Sequence, residues 1–243
     1  MKRIILYFVL VLIAVSMLLP FLGMILISLS GNENIFTDYK NINLNFCAYK
    51  NVFKSIPVAK YFLNSFVVAL FTTIGQVLIS ALAGYGFARL KFKGSNVLFY
   101  AILITMMVPP QVNIVPLFYL MRNYFLKFST ELEDAAKLDG CSAFQIFFKI
   151  AFPCAAPALA TLSIFTFVTA WNSFMWPLIV TNTDSMRTLA VGLTVFKSSF
   201  REITMWGELT ACACICSIPV ILIFLIGKNY LINNPQEGGI KGG

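Results

Sequence analysis

The amino-acid sequence predicts an all-α, polytopic helical membrane protein, and three observations support this fold class. Hydrophobic residues make up 59% of the 243 residues, and the mean hydropathy is +0.83. Only 12% of the residues are charged, whereas a soluble domain is about half apolar and about a quarter charged. The chain also contains several apolar stretches of about 20 residues or more, the length that a helix needs to cross a bilayer. We therefore expect one transmembrane domain over residues 1–243.

Five stretches satisfy this length requirement. The first follows Lys2 and Arg3. It is longer than the apolar core of a signal peptide and no clear small-residue cleavage site follows it, so we expect it to anchor the chain. The second ends before a basic cluster that begins at Arg89, and Pro109 and Pro110 interrupt the third. The predicted spans are residues 4–28, 64–87, 95–121, 157–183 and 209–227.

The residue types exclude several classes of function. The sequence has no His and no Walker A motif, so an enzyme or a P-loop nucleotide site is not expected. None of the five spans contains a charged residue, which argues against an ion-coupled transporter or a proton pump. Cys212, Cys214 and Cys216 do not share one face of a helix, so they are poorly spaced for tetrahedral zinc. We expect no cofactor in this chain.

The net charge of +8 has a simpler explanation than nucleic-acid binding. In a chain this apolar, excess Lys and Arg usually lie in the cytoplasmic loops beside the bilayer. The sequence therefore predicts the lipid bilayer, and no nucleic acid, as a partner.

A more polar segment, residues 130–157, lies between the third and fourth spans and has the features of two short helices. Thr130 and Glu133 are spaced as a capping box at the start of the first helix. Gly140 is placed to end that helix in a left-handed conformation. Ser142 is placed to cap the second helix, and prolines end it before the next span. The second helix carries an apolar stripe at helical spacing, made of Phe144, Phe147, Phe148 and Ala151.

The residues alone leave two interpretations of this segment open. The small residues Ala135, Ala136 and Gly140 would let the backbone of a partner approach closely, and a helix laid into a groove is a common docking mode. Alternatively, the Phe-rich segment is an interfacial helix that lies on the bilayer.

The same segment resembles a known motif, the EAA loop of ABC-importer permeases. That loop has the pattern Glu-Ala-Ala, three residues, Gly, nine residues, then Ile, any residue and Leu-Pro. Here Asp134 replaces the Glu, Phe152 replaces the Leu, and Cys141 follows the Gly where Ala is usual. By this resemblance the loop docks a cytoplasmic ATPase, and its coupling residues are Glu133, Asp134, Ala135, Ala136, Asp139, Gly140, Cys141, Ile150 and Pro153.

Four further stretches are similar to the carbohydrate-importer branch that includes the smaller maltose-permease subunit. They are residues 83–92, 171–178, 187–193 and 238–242. The resemblance implies a multi-pass permease subunit in a bacterial cell membrane, part of an ATP-driven importer for a sugar or sugar derivative. Its implied partners are ABC ATPase subunits, a second permease subunit and an extracytoplasmic solute-binding protein, with ATP hydrolysis in the partner. Another solute, such as a polyol or glycerol phosphate, is an open alternative.

The sequence departs from this branch in one respect, since the family has six spans and only five are predicted here. The segment between Met121 and Thr130 is too short for a further span. With three complete spans before it, the EAA-like loop would lie outside the cell. The positive-inside rule disagrees with that topology. Five simple spans place eight basic residues inside and ten outside, whereas the family topology places ten inside and seven outside.

Two accounts of this departure remain open. In the first, residues 95–121 form a re-entrant hairpin that breaks at Pro109 and Pro110 and returns to the cytoplasm. In the second, the chain is an internally deleted permease remnant that no longer couples to an ATPase.

A candidate substrate path lies at Trp171, Asn172 and Trp176 in the fourth predicted span. Aromatic rings stack on sugars and amides hydrogen-bond hydroxyl groups, which favours a sugar-facing role. The alternative is an Asn that bonds to a neighbouring helix and Trp residues that anchor the helix at the membrane interface.

Overall fold

The computed structural model describes residues 2–30, 44–90, 93–104, 114–196 and 205–232, and the regular secondary structure in these ranges is helical. Pro109, Pro110 and the stretch 238–242 lie outside the described residues. The α-helices are α1 (Lys2–Ser30), α2 (Cys47–Ser55), α3 (Val58–Arg89), α4 (Ser95–Ile104), α5 (Ile114–Leu126), α6 (Thr130–Leu138), α7 (Ala143–Ile146), α8 (Phe152–Cys154), α9 (Ala156–Trp171), α10 (Met175–Val180), α11 (Leu189–Gly192) and α12 (Trp206–Ile232). A π-helix, Phe147–Ala151, joins α7 to α8, and two 3-10 helices are Asp184–Met186 and Leu193–Phe196.

Three described helices are long and apolar enough to cross a membrane: α1, α3 and α12. They contain the predicted spans 4–28, 64–87 and 209–227. Helix α3 has 32 residues, so it is about 48 Å long and extends beyond a hydrocarbon layer of about 30 Å.

The predicted span 157–183 is not one continuous helix. Helix α9 ends at Trp171, and residues 172–174 separate it from α10. Pro177 gives a physical reason, because it has no N–H to donate to the carbonyl of residue 173 and its ring would clash there. In the first turn of α10 the same proline is tolerated. The helices before and after Ala155 meet at an angle of 76°.

The predicted span 95–121 also differs from a single helix. It corresponds to α4, with 10 residues, and to α5, with 13 residues, and residues 105–113 lie outside the described ranges. At 1.5 Å per residue these helices are about 15 and about 20 Å long, too short to cross the hydrocarbon. The two helices contact each other through Phe99, whose ring centroid lies 5.7 Å from that of Phe118. The guanidinium of Arg122 lies 4.0 Å from the Phe99 ring centroid, a cation–π contact.

The contacts divide the chain into two compact units. The first contains residues 1–67 and 172–222. In it, the start of α3 holds the loop before α11: the amide of Asn64 donates to the carbonyls of Ser185 and Arg187, both at 3.0 Å. The Ser65 hydroxyl accepts a hydrogen bond from the Leu189 N–H at 2.8 Å. The stretch that resembles a family motif at 187–193 is therefore fixed to α3.

The second unit contains residues 68–171 and 223–243 and has an aromatic core. The ring of Tyr85, in α3, lies 5.4 Å from Phe125 in α5 and 5.2 Å from Phe147 in the π-helix. The core thus joins α3, α5 and the EAA-like segment. Its buried members are Val77, Ala81, Tyr85, Leu117, Met121, Phe125, Ala136, Ile146, Phe147, Ala151, Ala155, Leu159 and Leu162.

Candidate coupling loop

The first helix of the loop, α6, begins at Thr130 itself and not after it, so the predicted capping box of Thr130 and Glu133 is wrong. The N-cap residue is Ser129, which makes no side-chain capping bond. Glu133 instead turns inward, and its carboxylate oxygen Oε1 lies 3.1 Å from Nε of Arg89 at the end of α3. The attraction of a partly buried opposite charge favours this inward position of the Glu133 carboxylate.

The turn between the two loop helices confirms the prediction for Gly140. Its φ angle is +79°, in the left-handed region, and the Cys141 N–H donates to the Ala136 carbonyl at 3.0 Å. A Cβ at this position would have no neighbour within 4 Å. Backbone conformation, and not lack of space, therefore requires glycine here.

The predicted cap at Ser142 is also confirmed. Ser142 and Gln145 form a reciprocal capping box: the Ser142 N–H donates to Gln145 Oε1 at 2.8 Å, and the Gln145 N–H donates to Ser142 Oγ at 3.4 Å. Each side chain satisfies a backbone donor that the helix leaves free.

The predicted apolar stripe of the second helix is divided between the core and the surface. Phe147 and Ala151 are buried, whereas Phe144 and Phe148 are exposed. The helix widens to a π-helix over Phe147–Ala151, which changes the angular spacing of these residues around the axis.

The coupling residues implied by the resemblance fall into two groups. Glu133 and Ala136 are buried against the core, with Cys141 and Ile150 half-buried. An exposed residue that the motif did not indicate is Leu138, which is 90% accessible. The sequence could have indicated it, because Leu138 is a large apolar residue directly before the polar turn. The exposed predicted residues are Asp134, Ala135, Asp139, Gly140 and Pro153.

Two ion pairs of the loop differ in their surroundings. Arg89 and Glu133 have side chains only 12% and 6% exposed, and Arg89 Nη2 also donates to the Phe128 carbonyl. Lys137 and Asp134 are 2.8 Å apart but 61% and 65% exposed, so solvent screens their attraction. Burial raises the pKa of Glu133, while Arg89 and Lys137 oppose this shift and Asp134 adds to it.

The three residues of the candidate substrate path have different environments. Trp171 is buried and stacks on Phe167, with ring centroids 5.9 Å apart. Asn172 and Trp176 are exposed. A role in sugar binding stays a prediction for all three. Among the described residues, no group of three or more His, Cys, Asp or Glu side chains is arranged to hold a metal ion.

Long apolar helices together with an EAA-like loop define a class of protein, the membrane-embedded permease subunits of ABC importers. Residues 94–233 match the family described as "Binding-protein-dependent transport system inner membrane component", and the chain belongs to this family. It is a multi-pass protein of the bacterial inner membrane. The family and fold predicted from the sequence are thus confirmed.

Two relatives and one solved structure are similar to most of the chain. The probable ABC transporter permease protein YurM of Bacillus subtilis is 35% identical, over 76% of this chain and 70% of the relative. The arabinooligosaccharides transport system permease protein AraQ of the same species is 35% identical, over 75% and 74%. A chain of a bacterial ABC transporter involved in the import of the acidic polysaccharide alginate has a TM-score of 0.78 at 21% identity, over 94% of this chain and 96% of that chain. The structural likeness shows the fold.

The alignment with AraQ also contains positions at which this chain has no residue. This alignment has 209 positions. It includes 75% of the 243 residues of this chain, which is about 182 residues. About 27 aligned positions therefore have no residue in this chain, which is close to the length of one membrane-crossing helix with its flanks, about 20 residues or more. This agrees with five predicted spans in place of six.

Proposed function

We propose that the chain is the permease subunit of an ATP-driven importer for a sugar or oligosaccharide and that residues 130–157 dock a cytoplasmic ATPase. One observation carries the proposal: the EAA-like loop begins at the same end of α3 as Arg89. The coupling loop is then cytoplasmic although one span is missing. The re-entrant account is thereby favoured over the non-coupling remnant.

The contacts of Arg89 support this placement of the loop. Its guanidinium reaches both the Phe128 carbonyl, just before α6, and the Glu133 carboxylate within α6. The intervening helices α4 and α5 are each too short to cross the hydrocarbon. These contacts and lengths support the proposal that the EAA-like loop lies at the membrane face where α3 ends.

The order of the long helices supports a cytoplasmic position for that face. Helix α2 lies at the end of α1, because the Ser28 and Tyr49 hydroxyl oxygens are 2.9 Å apart and the Asn45 N–H donates to the Leu29 carbonyl at 2.6 Å. Helix α3 follows α2 in the chain and is the next described helix that is long and apolar enough to cross a membrane. Two successive crossings, by α1 and α3, would return the chain to the side of its basic N-terminal residues, and the positive-inside rule favours the cytoplasm for that side.

The exposed surface of the loop fits a docking role. Leu138 and Phe144 are large, apolar and exposed, and the small residues Ala135 and Gly140 are exposed beside them in sequence. Such a surface is suited to insertion into a cleft of a partner. The partners we propose are ABC ATPase subunits, a second permease subunit and an extracytoplasmic solute-binding protein.

The names of the relatives support the choice of substrate class. AraQ is named for arabinooligosaccharides, and UgpE of Yersinia pestis, 28% identical over 73% of each chain, is named for sn-glycerol-3-phosphate. A sugar or oligosaccharide is our first proposal and glycerol phosphate the second. Uptake of a panel of labelled sugars, oligosaccharides and glycerol phosphate separates the two.

Thiol labelling tests the position of the loop. In a chain with Cys47→Ser and Cys154→Ser, Cys141 is the remaining thiol outside the predicted spans, and it is half-buried. We expect a membrane-impermeant maleimide to label it only after the cells are permeabilised. The matched control keeps Cys47, which is exposed near the start of α2, and carries Cys141→Ser and Cys154→Ser. It should react in intact cells. Labelling of Cys141 in intact cells would place the loop outside and refute coupling to a cytoplasmic ATPase.

Recovery of the ATPase with the chain tests docking directly. Leu138→Glu places a charge on the exposed loop surface, and we expect at least a tenfold lower yield of co-purified ATPase. The control is Leu132→Glu, an exposed position about 120° away around the axis of α6. Equal yields from both variants would contradict a docking surface at Leu138.

A further inference from the structure

The last turn of α3, the linker of residues 127–129 and the start of α6 meet at one side chain, Arg89. We propose that Arg89 is a positioning residue that carries movement of the docked loop into the spanning helix α3. This inference rests on the proposed function and names the residue that would link ATPase docking to the membrane.

The guanidinium of Arg89 makes two contacts. Its Nε lies 3.1 Å from Glu133 Oε1, and its Nη2 donates to the Phe128 carbonyl. The contact at Nε is an ion pair without hydrogen-bond geometry, whereas the contact at Nη2 is a hydrogen bond. Together they attach helix α6 and the linker before it to the end of α3.

The contact between Arg89 and Glu133 differs in kind from the neighbouring contacts between α3 and the loop. One turn earlier in α3, Tyr85 packs against Phe125 and Phe147 through its ring. These aromatic contacts carry no charge, whereas Arg89 attaches both α6 and the linker before it to α3 through an ion pair and a hydrogen bond of one side chain. A shift of α6 therefore moves Arg89 or breaks these contacts.

The ion pair between Arg89 and Glu133 is also largely buried. The side chains of Arg89 and Glu133 are 12% and 6% exposed, and water competes poorly for a buried ion pair. The linker between α5 and α6 has only three residues, which leaves little slack to absorb a displacement. The other loop ion pair, Lys137 with Asp134, lies within α6 and is exposed, so it gives no such link to α3.

The test uses the whole importer, with its ATPase, partner permease and binding protein, in liposomes. For Glu133→Gln we expect normal recovery of the ATPase, since the exposed docking surface is unchanged. The amount of solute transported per ATP hydrolysed should fall at least tenfold. The control is Glu131→Gln, the same change of charge in the first turn of α6 at an exposed position; its ratio should equal that of the unmodified chain.

Arg89→Lys provides a second variant if Glu133→Gln does not accumulate. It keeps a positive charge opposite Glu133 but has one nitrogen in place of the fork, so it cannot also donate to the Phe128 carbonyl from a second nitrogen; we expect normal recovery of the ATPase and a lower amount of solute transported per ATP. A folded Arg89→Lys chain with a normal ratio would overturn the inference.

Two other results would also overturn it, and they are distinguishable from failure of the proposed function. A normal ratio of transport to hydrolysis in Glu133→Gln would show that the contact transmits nothing. Loss of ATPase from a folded Glu133→Gln chain would show that the contact serves docking instead. If the unmodified chain recovers no ATPase, the proposed function itself fails, and the inference fails with it.

Discussion

Replacement of Gly84 by Ala should separate α3 from the short helix α5. A Cβ at Gly84 would lie 2.7 Å from Met121 Cβ, 2.8 Å from the Arg122 backbone N and 2.9 Å from the Met121 backbone carbon. Ordinary contacts begin at 3.4 Å, so the two helices must part by about 0.7 Å. Two of the three atoms belong to the backbone and cannot rotate away. Overpacking of this kind costs about 1–3 kcal/mol, and every 1.4 kcal/mol is about a tenfold change in the unfolding equilibrium.

Gly86→Ala is the matched control, two residues further along α3. A Cβ there has no neighbour within 4 Å, and Ala is favoured over Gly inside a helix by about 0.5–1 kcal/mol. We expect the midpoint of thermal unfolding in detergent to fall for Gly84→Ala and to be unchanged or higher for Gly86→Ala. Transport should also fall only in the first variant, because a displaced α5 moves Arg122 away from Phe99 and disturbs the linker to α6. Equal midpoints for the two variants would refute the close packing of α3 on α5.

Three further predictions concern the loop itself. Gly140→Ala forces an L-residue to adopt a φ of +79°, at a cost of about 1–2 kcal/mol, and we expect a lower yield of co-purified ATPase. The control is Gly75→Ala, where a Cβ has open space, and its yield of ATPase should be unchanged. Ser142→Ala removes the capping box and about 1 kcal/mol, which should appear as faster amide hydrogen exchange over residues 142–146. Because burial raises the pKa of Glu133, its ion pair with Arg89 is present above that pKa and is lost as the pH falls through it, at a higher pH than for an exposed glutamate. The amount of solute transported per ATP by the unmodified importer should therefore decrease as the pH falls. In Glu133→Gln the same ratio should be low and independent of pH. Parallel pH profiles for the two chains would contradict a role of the Glu133 carboxylate in coupling.

The sequence by itself determined the features that depend on neighbouring residues. Long apolar stretches predicted segments that lie within α1, α3 and α12, because the length of a span is set by the thickness of the bilayer. Gly140 and Ser142 were predictable as turn and cap, since left-handed φ and helix capping are decided by residues within a few positions. The EAA-like pattern identified the family for the same reason, as a spacing within one segment.

The tertiary structure alone decided the features that join distant parts of the chain. A local capping pattern assigned Glu133 to a backbone N–H, but packing brought the Arg89 guanidinium to its carboxylate. The close approach of Gly84 to Met121 likewise followed from packing that hydropathy does not record. The side of the membrane that we propose for the loop rests on the same contact, because counting apolar segments cannot distinguish one crossing helix from two short helices that return to the same face.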